Sequence, residues 1–132
     1  MKKILLIDDD KDLVRNLQQV FTSNNYAVAH AHRAADGLRT VLSFRPDVII
    51  LDVMLETDTG GFEFVYQLRD KRENSRYKEH MNTPIVLLTG INQATNFRFS
   101  LNEQASFLPE TSAIFTKPAP IEALLAKVRE LT

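Results

Sequence analysis

Five polar side chains suited to phosphoryl chemistry each follow or close a short apolar run: Asp8, Asp9, Asp52, Thr89 and Lys117. Closely packed carboxylates repel one another unless a cation is present, and an all-oxygen set of ligands suits Mg²⁺. A carboxylate near such an ion can attack phosphorus and form an aspartyl phosphate. These residue types therefore predict phosphoryl transfer if the fold brings them together.

Asp52 is the candidate reacting group. It lies within the apolar run 48–55, whose continuous hydrophobicity is typical of a strand buried on both faces of a parallel sheet. A charge there is costly unless another group pairs with it or uses it. Thr89 can donate a hydrogen bond to one phosphoryl oxygen and Lys117 can neutralise another, while Gly90 leaves room beside the strand end.

Apolar runs and helical periodicities alternate along the chain, and this order predicts how the polar side chains are positioned. Strands are predicted at 4–7, 26–31, 48–52, 85–89 and 113–116. Helices are predicted after a cap at Asp10 or Asp12, over 34–44, from Phe62 onward, over 94–107, and around Ile121, Leu124, Leu125 and Val128. Such alternation indicates parallel strands with helices on both faces, and sites in these sheets lie beyond the carboxyl ends of the strands.

Three local expectations concern the surroundings of these elements. The second helix should carry Leu38, Val41 and Leu42 on one face. The segment 56–61 reads as a loop from its glycines and polar residues. The polar stretch 69–82 fits either a helical extension into solvent or a mobile loop, and the sequence does not choose between them.

The composition is that of an ordinary globular domain. The chain has 132 residues, of which 44% are apolar, and a formal net charge of -1. That balance gives no electrostatic case for binding nucleic acid or an anionic membrane. The chain has no cysteine and no apolar run of transmembrane length, so we expect a cytoplasmic protein.

Four motifs together resemble the receiver domain of two-component response regulators. They are Asp8-Asp9 after the first strand, Asp52 after the third, Thr89-Gly90 after the fourth and Lys117-Pro118 after the fifth. The resemblance covers essentially the whole chain and implies a single receiver domain over 1–132. We expect no output domain in this chain, which leaves open a stand-alone regulator or a receiver cut from a longer chain. It implies a doubly wound (βα)5 flavodoxin-like three-layer sandwich, with a five-stranded parallel sheet in the order 2-1-3-4-5.

The resemblance also implies roles for individual residues. Asp52 would accept the phosphoryl group from a histidine kinase or phosphotransfer protein, which makes the chain a signalling phosphoacceptor and not an enzyme. Asp9 would bind Mg²⁺ directly, Asp8 partly through water, and Met54 through its backbone carbonyl, alongside Asp52. In this family the peptide bond that precedes the residue matching Pro118 is typically cis.

Thr89 and Lys117 would convert phosphorylation into altered partner contacts in such a domain. The contact face would comprise the predicted helix over 94–107, the fifth strand and the last helix. Its partner would be a downstream protein or a second copy of the chain.

Several positions depart from the family pattern. Glu56 stands where a proline is usual, and the loop before Gly61 has one extra residue. Ile114 occupies the position of the family's switch aromatic, with Phe115 next to it. Met54 and Ile91, two residues beyond Asp52 and Thr89, are both apolar and cannot orient an attacking water, which predicts slow self-dephosphorylation.

Two other functions remain open at this point. One is a phosphohydrolase of the haloacid-dehalogenase type, because the spacing of Asp8 and Asp10 fits, although Asp12 stands where Thr or Val is expected. The other is a degenerate receiver that binds partners without phosphorylation, which Ile114 and Glu56 favour.

His30 and His32 could lie on one face of a strand and suggest a metal site. With one other histidine and no cysteine in the chain, the sequence favours a surface pair.

Overall fold

Five parallel strands form one sheet in a computed structural model that describes residues 1–55, 60–70, 75–90, 113–118 and 120–132. The strands are β1 (Lys3–Ile7), β2 (Ala27–Ala31), β3 (Val48–Asp52), β4 (Ile85–Thr89) and β5 (Ala113–Thr116). Their spatial order is β2-β1-β3-β4-β5, which confirms the flavodoxin-like order. The predictions for 94–107, Glu56 and Ile91 lie outside the described residues.

The register of the sheet aligns the strand ends that carry the polar side chains. Ile7, the residue before Asp8, pairs with Leu51, the residue before Asp52. On the other side of β3, Thr89 at the end of β4 pairs with Thr116, so Lys117 leaves β5 at the same level. Backbone pairing alone therefore brings the five candidate side chains to one edge.

Four α-helices occur in the described part of the chain: α1 (Lys11–Ser23), α2 (Ala34–Phe44), α3 (Gly60–Leu68) and α4 (Ile121–Leu131). A short 3-10 helix spans Lys78–His80. One core lies between the sheet and the apolar faces of α2 and α3, and a second lies between the sheet and those of α1 and α4. This is the predicted three-layer arrangement. None of the described helices is long and apolar enough to cross a membrane.

The start and end of α1 have clear local causes. Asp10 caps the helix, because its side-chain oxygen accepts hydrogen bonds from the backbone N–H groups of Asp12 and Leu13, each at 3.1 Å. The helix ends before Asn24, and Asn25 adopts the left-handed conformation with φ of 71°. Asp10 is thus the cap, and not Asp12.

Two of the local expectations need correction. Gly60 and Gly61 begin α3 and are not part of a loop, because Gly61 lets the helix approach the backbone that follows β3. Leu42 is 38% exposed, whereas Leu38 and Val41 are buried, so the core face of α2 is narrower than predicted.

The polar stretch after α3 is held by Arg69. The helix ends at Leu68. The Arg69 guanidinium then donates to the backbone carbonyls of His80 at 3.3 Å, Thr83 at 2.7 Å and Met81. The described part of this stretch is therefore packed against the protein through backbone hydrogen bonds, and it is not a continuation of the helix.

Candidate functional site

Three carboxylates converge at the carboxyl edge of the sheet. One oxygen from each of Asp8, Asp9 and Asp52 lies within 4.8 Å of the others. Asp8 and Asp52 are buried, with 4% and 5% of their surface exposed, whereas Asp9 is exposed. The structure therefore brings together the acidic residues that the sequence singles out at the ends of two neighbouring strands.

Lys117 bridges the two buried carboxylates. Its Nζ lies 2.9 Å from Asp8 Oδ2 and 3.4 Å from Asp52 Oδ2. The backbone N–H of Lys117 donates to the carbonyl of Thr89 at 2.7 Å, which ties the lysine to the end of β4. The Lys117–Pro118 peptide bond is cis, as expected from the family.

Burial and charge shift the protonation of this cluster. Burial raises the pKa of Asp8 to about 6, against the lowering effects of the Asp10 N–H at 2.9 Å and the Lys117 ammonium. Burial alone lowers the pKa of Lys117, but the carboxylates of Asp8 and Asp52 outweigh it and raise the pKa above its ordinary value. Lys117 is therefore a cation at neutral pH.

The donor set fits a hard divalent cation. Asp8 Oδ2 is buried and faces Lys117 Nζ at 2.9 Å. Three carboxylates face this single lysine, so negative charge is left over when all of them are ionised. Oxygen-only ligands and excess negative charge are the conditions under which Mg²⁺ binds.

The backbone after β3 fixes Asp52. Its Oδ1 accepts the N–H of Met54 at 3.2 Å, while Oδ2 faces Lys117. The N–H of Gly61 donates to the carbonyl of Val53 at 2.9 Å, so the first turn of α3 holds this segment in place. Met54 itself is 40% exposed, next to the carboxylate that its N–H contacts.

Thr89 occupies the position between Asp52 and Lys117 along the sheet edge. Its side chain is fully buried, and its Oγ1 donates to the carbonyl of Gly90 over a long 3.4 Å. A hydroxyl held this weakly can exchange its partner at little cost.

Two contacts to Asp8 are not predicted by the sequence. The N–H of Asp8 donates to the carbonyl of Ala31 at 3.1 Å, and His32 Nδ1 lies 2.9 Å from the carbonyl oxygen of Asp8. The end of β2 thus holds the Asp8 backbone from both sides. The signal in the sequence is positional, since Asp8 and His32 each follow a strand and those strands pair.

Ile114 occupies the position of the family's switch aromatic. This aliphatic residue is 40% exposed. Phe115, the next residue, is half-buried and packs against the core on the α1 and α4 side.

A five-stranded sheet of this order, with an acidic cluster and a lysine at its carboxyl edge, defines a receiver domain. The family model described as the response regulator receiver domain matches residues 4–129, and the chain belongs to that family. Receiver domains of this family are signalling phosphoacceptors in two-component systems, and Mg²⁺ binding is typical of them.

Individual relatives agree with this assignment. The response regulator MprA of Mycobacterium ulcerans is 32% identical over 130 residues, which cover 98% of this chain and 49% of that protein. The chain thus spans about half the length of the curated relatives it matches.

Solved structures show the same fold. The chemotaxis response regulator CheY4 of Vibrio cholerae superposes with a TM-score of 0.76 at 26% identity, covering 100% of this chain and 99% of that one. The receiver domain of the Francisella response regulator 1452 gives a TM-score of 0.77 at 24% identity, covering 99% and 96%.

Proposed function

We propose that the chain accepts a phosphoryl group on Asp52 from a histidine kinase or a phosphotransfer protein. The observation that supports this most strongly is the pairing of a buried Asp52 with Lys117 at 3.4 Å, beside two further carboxylates. A buried carboxylate with a cation at one oxygen and an N–H at the other is held in one orientation for attack.

The transfer is a substitution at phosphorus. A carboxylate oxygen of Asp52 forms the new P–O bond, and the bond from phosphorus to the donor breaks, with its electron pair leaving on the donor. Lys117 then neutralises charge on one phosphoryl oxygen, and the Thr89 hydroxyl turns from Gly90 to donate to another. The two groups stabilise the charge that develops as the transfer proceeds.

Asp8, Asp9 and Asp52 would hold Mg²⁺ together with the carbonyl of Met54. When bound, the ion neutralises phosphoryl oxygens and relieves the repulsion between these carboxylates.

The same contacts supply a signal. Before transfer, Lys117 is shared between Asp8 and Asp52. A phosphoryl group on Asp52 adds negative charge and draws both Lys117 and Thr89 toward it. Because Lys117 follows β5 and precedes α4, this movement alters the face that the last strand and helix offer to a partner.

Intact-mass measurement after incubation with acetyl phosphate and Mg²⁺ tests the proposal. We expect a gain of one phosphoryl group, and Asp52→Asn should abolish it. The control is Asp36→Asn, which removes an exposed carboxylate on α2 and should leave the gain unchanged. A gain that survives Asp52→Asn contradicts the proposal.

The exposed Ile114 favours one alternative, a receiver that binds its partner without phosphorylation. The absence of any mass gain with acetyl phosphate or phosphoramidate would support that alternative. The phosphohydrolase alternative is disfavoured because Asp10, its second carboxylate, is occupied as the cap of α1.

A further inference from the structure

Two histidines lie side by side at the end of the edge strand β2. The ring centres of His30 and His32 are 5.3 Å apart, with the ring planes tilted by 49°. His30 is exposed and His32 is half-buried, so water and ions reach the pair. The described residues contain no acidic or basic group paired with either ring.

The hydrogen bond made by His32 fixes its tautomer. Its Nδ1 lies 2.9 Å from the carbonyl oxygen of Asp8, which can only accept, so Nδ1 carries the proton. In the neutral ring the lone pair is then on Nε2, which points away from Asp8. Histidines that bind metals almost always donate their other ring N–H to a carboxylate, a carbonyl or water. His32 already has that arrangement.

The spacing of the rings matches a shared metal ion. A bond from Zn²⁺ to a histidine nitrogen is about 2.0–2.1 Å, and the nitrogen lies about 1.2 Å from the ring centre, so two imidazoles on a tetrahedral ion have centres about 5 Å apart. The observed 5.3 Å agrees with that value. Rings in ordinary contact also have centres about 4.5–7 Å apart, so the spacing permits a shared ion, and it is the hydrogen bond of His32 that favours one.

We propose that His30 and His32 form a second cation site, a bis-imidazole site for a borderline divalent metal of the Zn²⁺ type. It is chemically distinct from the carboxylate cluster, because imidazole nitrogen suits Zn²⁺ whereas oxygen ligands suit Mg²⁺. The His32–Asp8 hydrogen bond connects the two sites. A cation on Nε2 makes Nδ1–H a stronger donor and so fixes the Asp8 backbone more firmly.

Calorimetric titration of the chain with Zn²⁺ in saturating Mg²⁺ tests the site, with the imidazole resonances followed by NMR. The chain has three histidines and no cysteine, and the third histidine, His80, is buried. We expect one Zn²⁺ per chain, with His30 and His32 ring signals shifting together. His30→Gln should weaken binding by about tenfold or more.

Two further variants separate this site from its alternatives. Asp9→Asn disables the carboxylate cluster and should leave Zn²⁺ binding unchanged. His32→Asn keeps an N–H donor for the Asp8 carbonyl but lacks the ligating ring nitrogen, so it should lose Zn²⁺ binding while the fold is retained.

Three results would overturn the proposal. They are Zn²⁺ binding that survives both histidine substitutions, loss of Zn²⁺ binding in Asp9→Asn, and no Zn²⁺ binding by the unmodified chain. No phosphodonor is present in the titration, so its result is independent of the phosphoacceptor role of Asp52.

Discussion

Asp8 shows how a single residue can oppose folding and still suit the site. Its carboxylate is almost fully buried, and its pKa is raised to about 6, so the protein environment disfavours the charged form. A carboxylate whose charged form is disfavoured in this way is typical of a functional site and does not add to stability. The charge that destabilises the apo protein is the charge that a divalent cation would neutralise.

Asp8→Asn should therefore stabilise the metal-free protein at pH 7, by about 1–2 kcal/mol. Asp8 keeps its proton up to about pH 6 in the folded state, whereas in the unfolded chain it loses the proton near its ordinary pKa of 3.8. The free energy of unfolding therefore falls as the pH rises between these two values. Urea unfolding at pH 7 and below pH 4 measures this, and the gain should vanish at the lower pH. Loss of stability at pH 7 in the absence of Mg²⁺ contradicts it.

Met54 sets the expected lifetime of the phosphoryl group. Its side chain is apolar, 40% exposed and two residues beyond Asp52, so it cannot orient water toward phosphorus. We predict slow decay of the phosphorylated chain and about fivefold faster decay in Met54→Asn, the effect of roughly 1 kcal/mol from one hydrogen bond. Intact mass against time measures both rates. Met54→Leu is the matched control, and equal rates in the Asn and Leu variants would contradict the assignment.

Among the elements, the junction of α3 with β3 depends on one glycine. A Cβ at Gly61 would lie 2.4 Å from the carbonyl oxygen of Asp52 and 2.8 Å from Cα and O of Val53, all of them backbone atoms. Gly61→Ala must displace either the helix or the strand end. We expect it to cost about 2–3 kcal/mol in denaturant unfolding and to slow phosphorylation by acetyl phosphate.

Gly37→Ala in α2 is the control for that substitution. Its Cβ would meet the side chains of Ile7 and Phe64, which can move, and alanine favours a helix by about 1 kcal/mol. We expect a change within about 1 kcal/mol. Similar costs at the two glycines would contradict the close approach of α3 to the backbone of β3.

The segment before β4 depends on the forked guanidinium of Arg69. It donates to carbonyls of His80, Met81 and Thr83, and a lysine ammonium cannot reproduce that fork. Arg69→Lys should cost about 1–3 kcal/mol in thermal or urea unfolding. Arg15→Lys, in an exposed pair at 3.8 Å from Asp12, should change stability by less than about 0.5 kcal/mol. Equal effects of the two substitutions would rule out this role of Arg69.

The elements could be predicted to different degrees. Buried strands such as Val48–Asp52 and Ile85–Thr89 were predicted with correct bounds, because continuous apolar runs have few other interpretations. Composition predicts a loop at Gly61, because it does not reveal that a glycine is needed for close backbone approach. The contacts of Arg69 and His32 join residues from different segments, and only the folded chain brings them together.

On the scale of the whole molecule, the site follows from the topology. Parallel strands all have their carboxyl ends at one edge of the sheet, so polar residues at these strand ends become neighbours through the topology alone. This is why Asp8, Asp52 and Lys117 could be assigned to one site from their spacing. The path to a partner could not be assigned in this way, since Ile114 is exposed where the family has a switching ring.

Borohydride trapping locates the phosphoryl group that we propose on Asp52. Reduction of an aspartyl phosphate converts that residue to homoserine, which peptide mass spectrometry then locates. We predict homoserine at position 52 only when acetyl phosphate and Mg²⁺ are both present. Homoserine at Asp8 or Asp9, or an unmodified Asp52 in a chain that has gained a phosphoryl group, would show that Asp52 is not the phosphoacceptor.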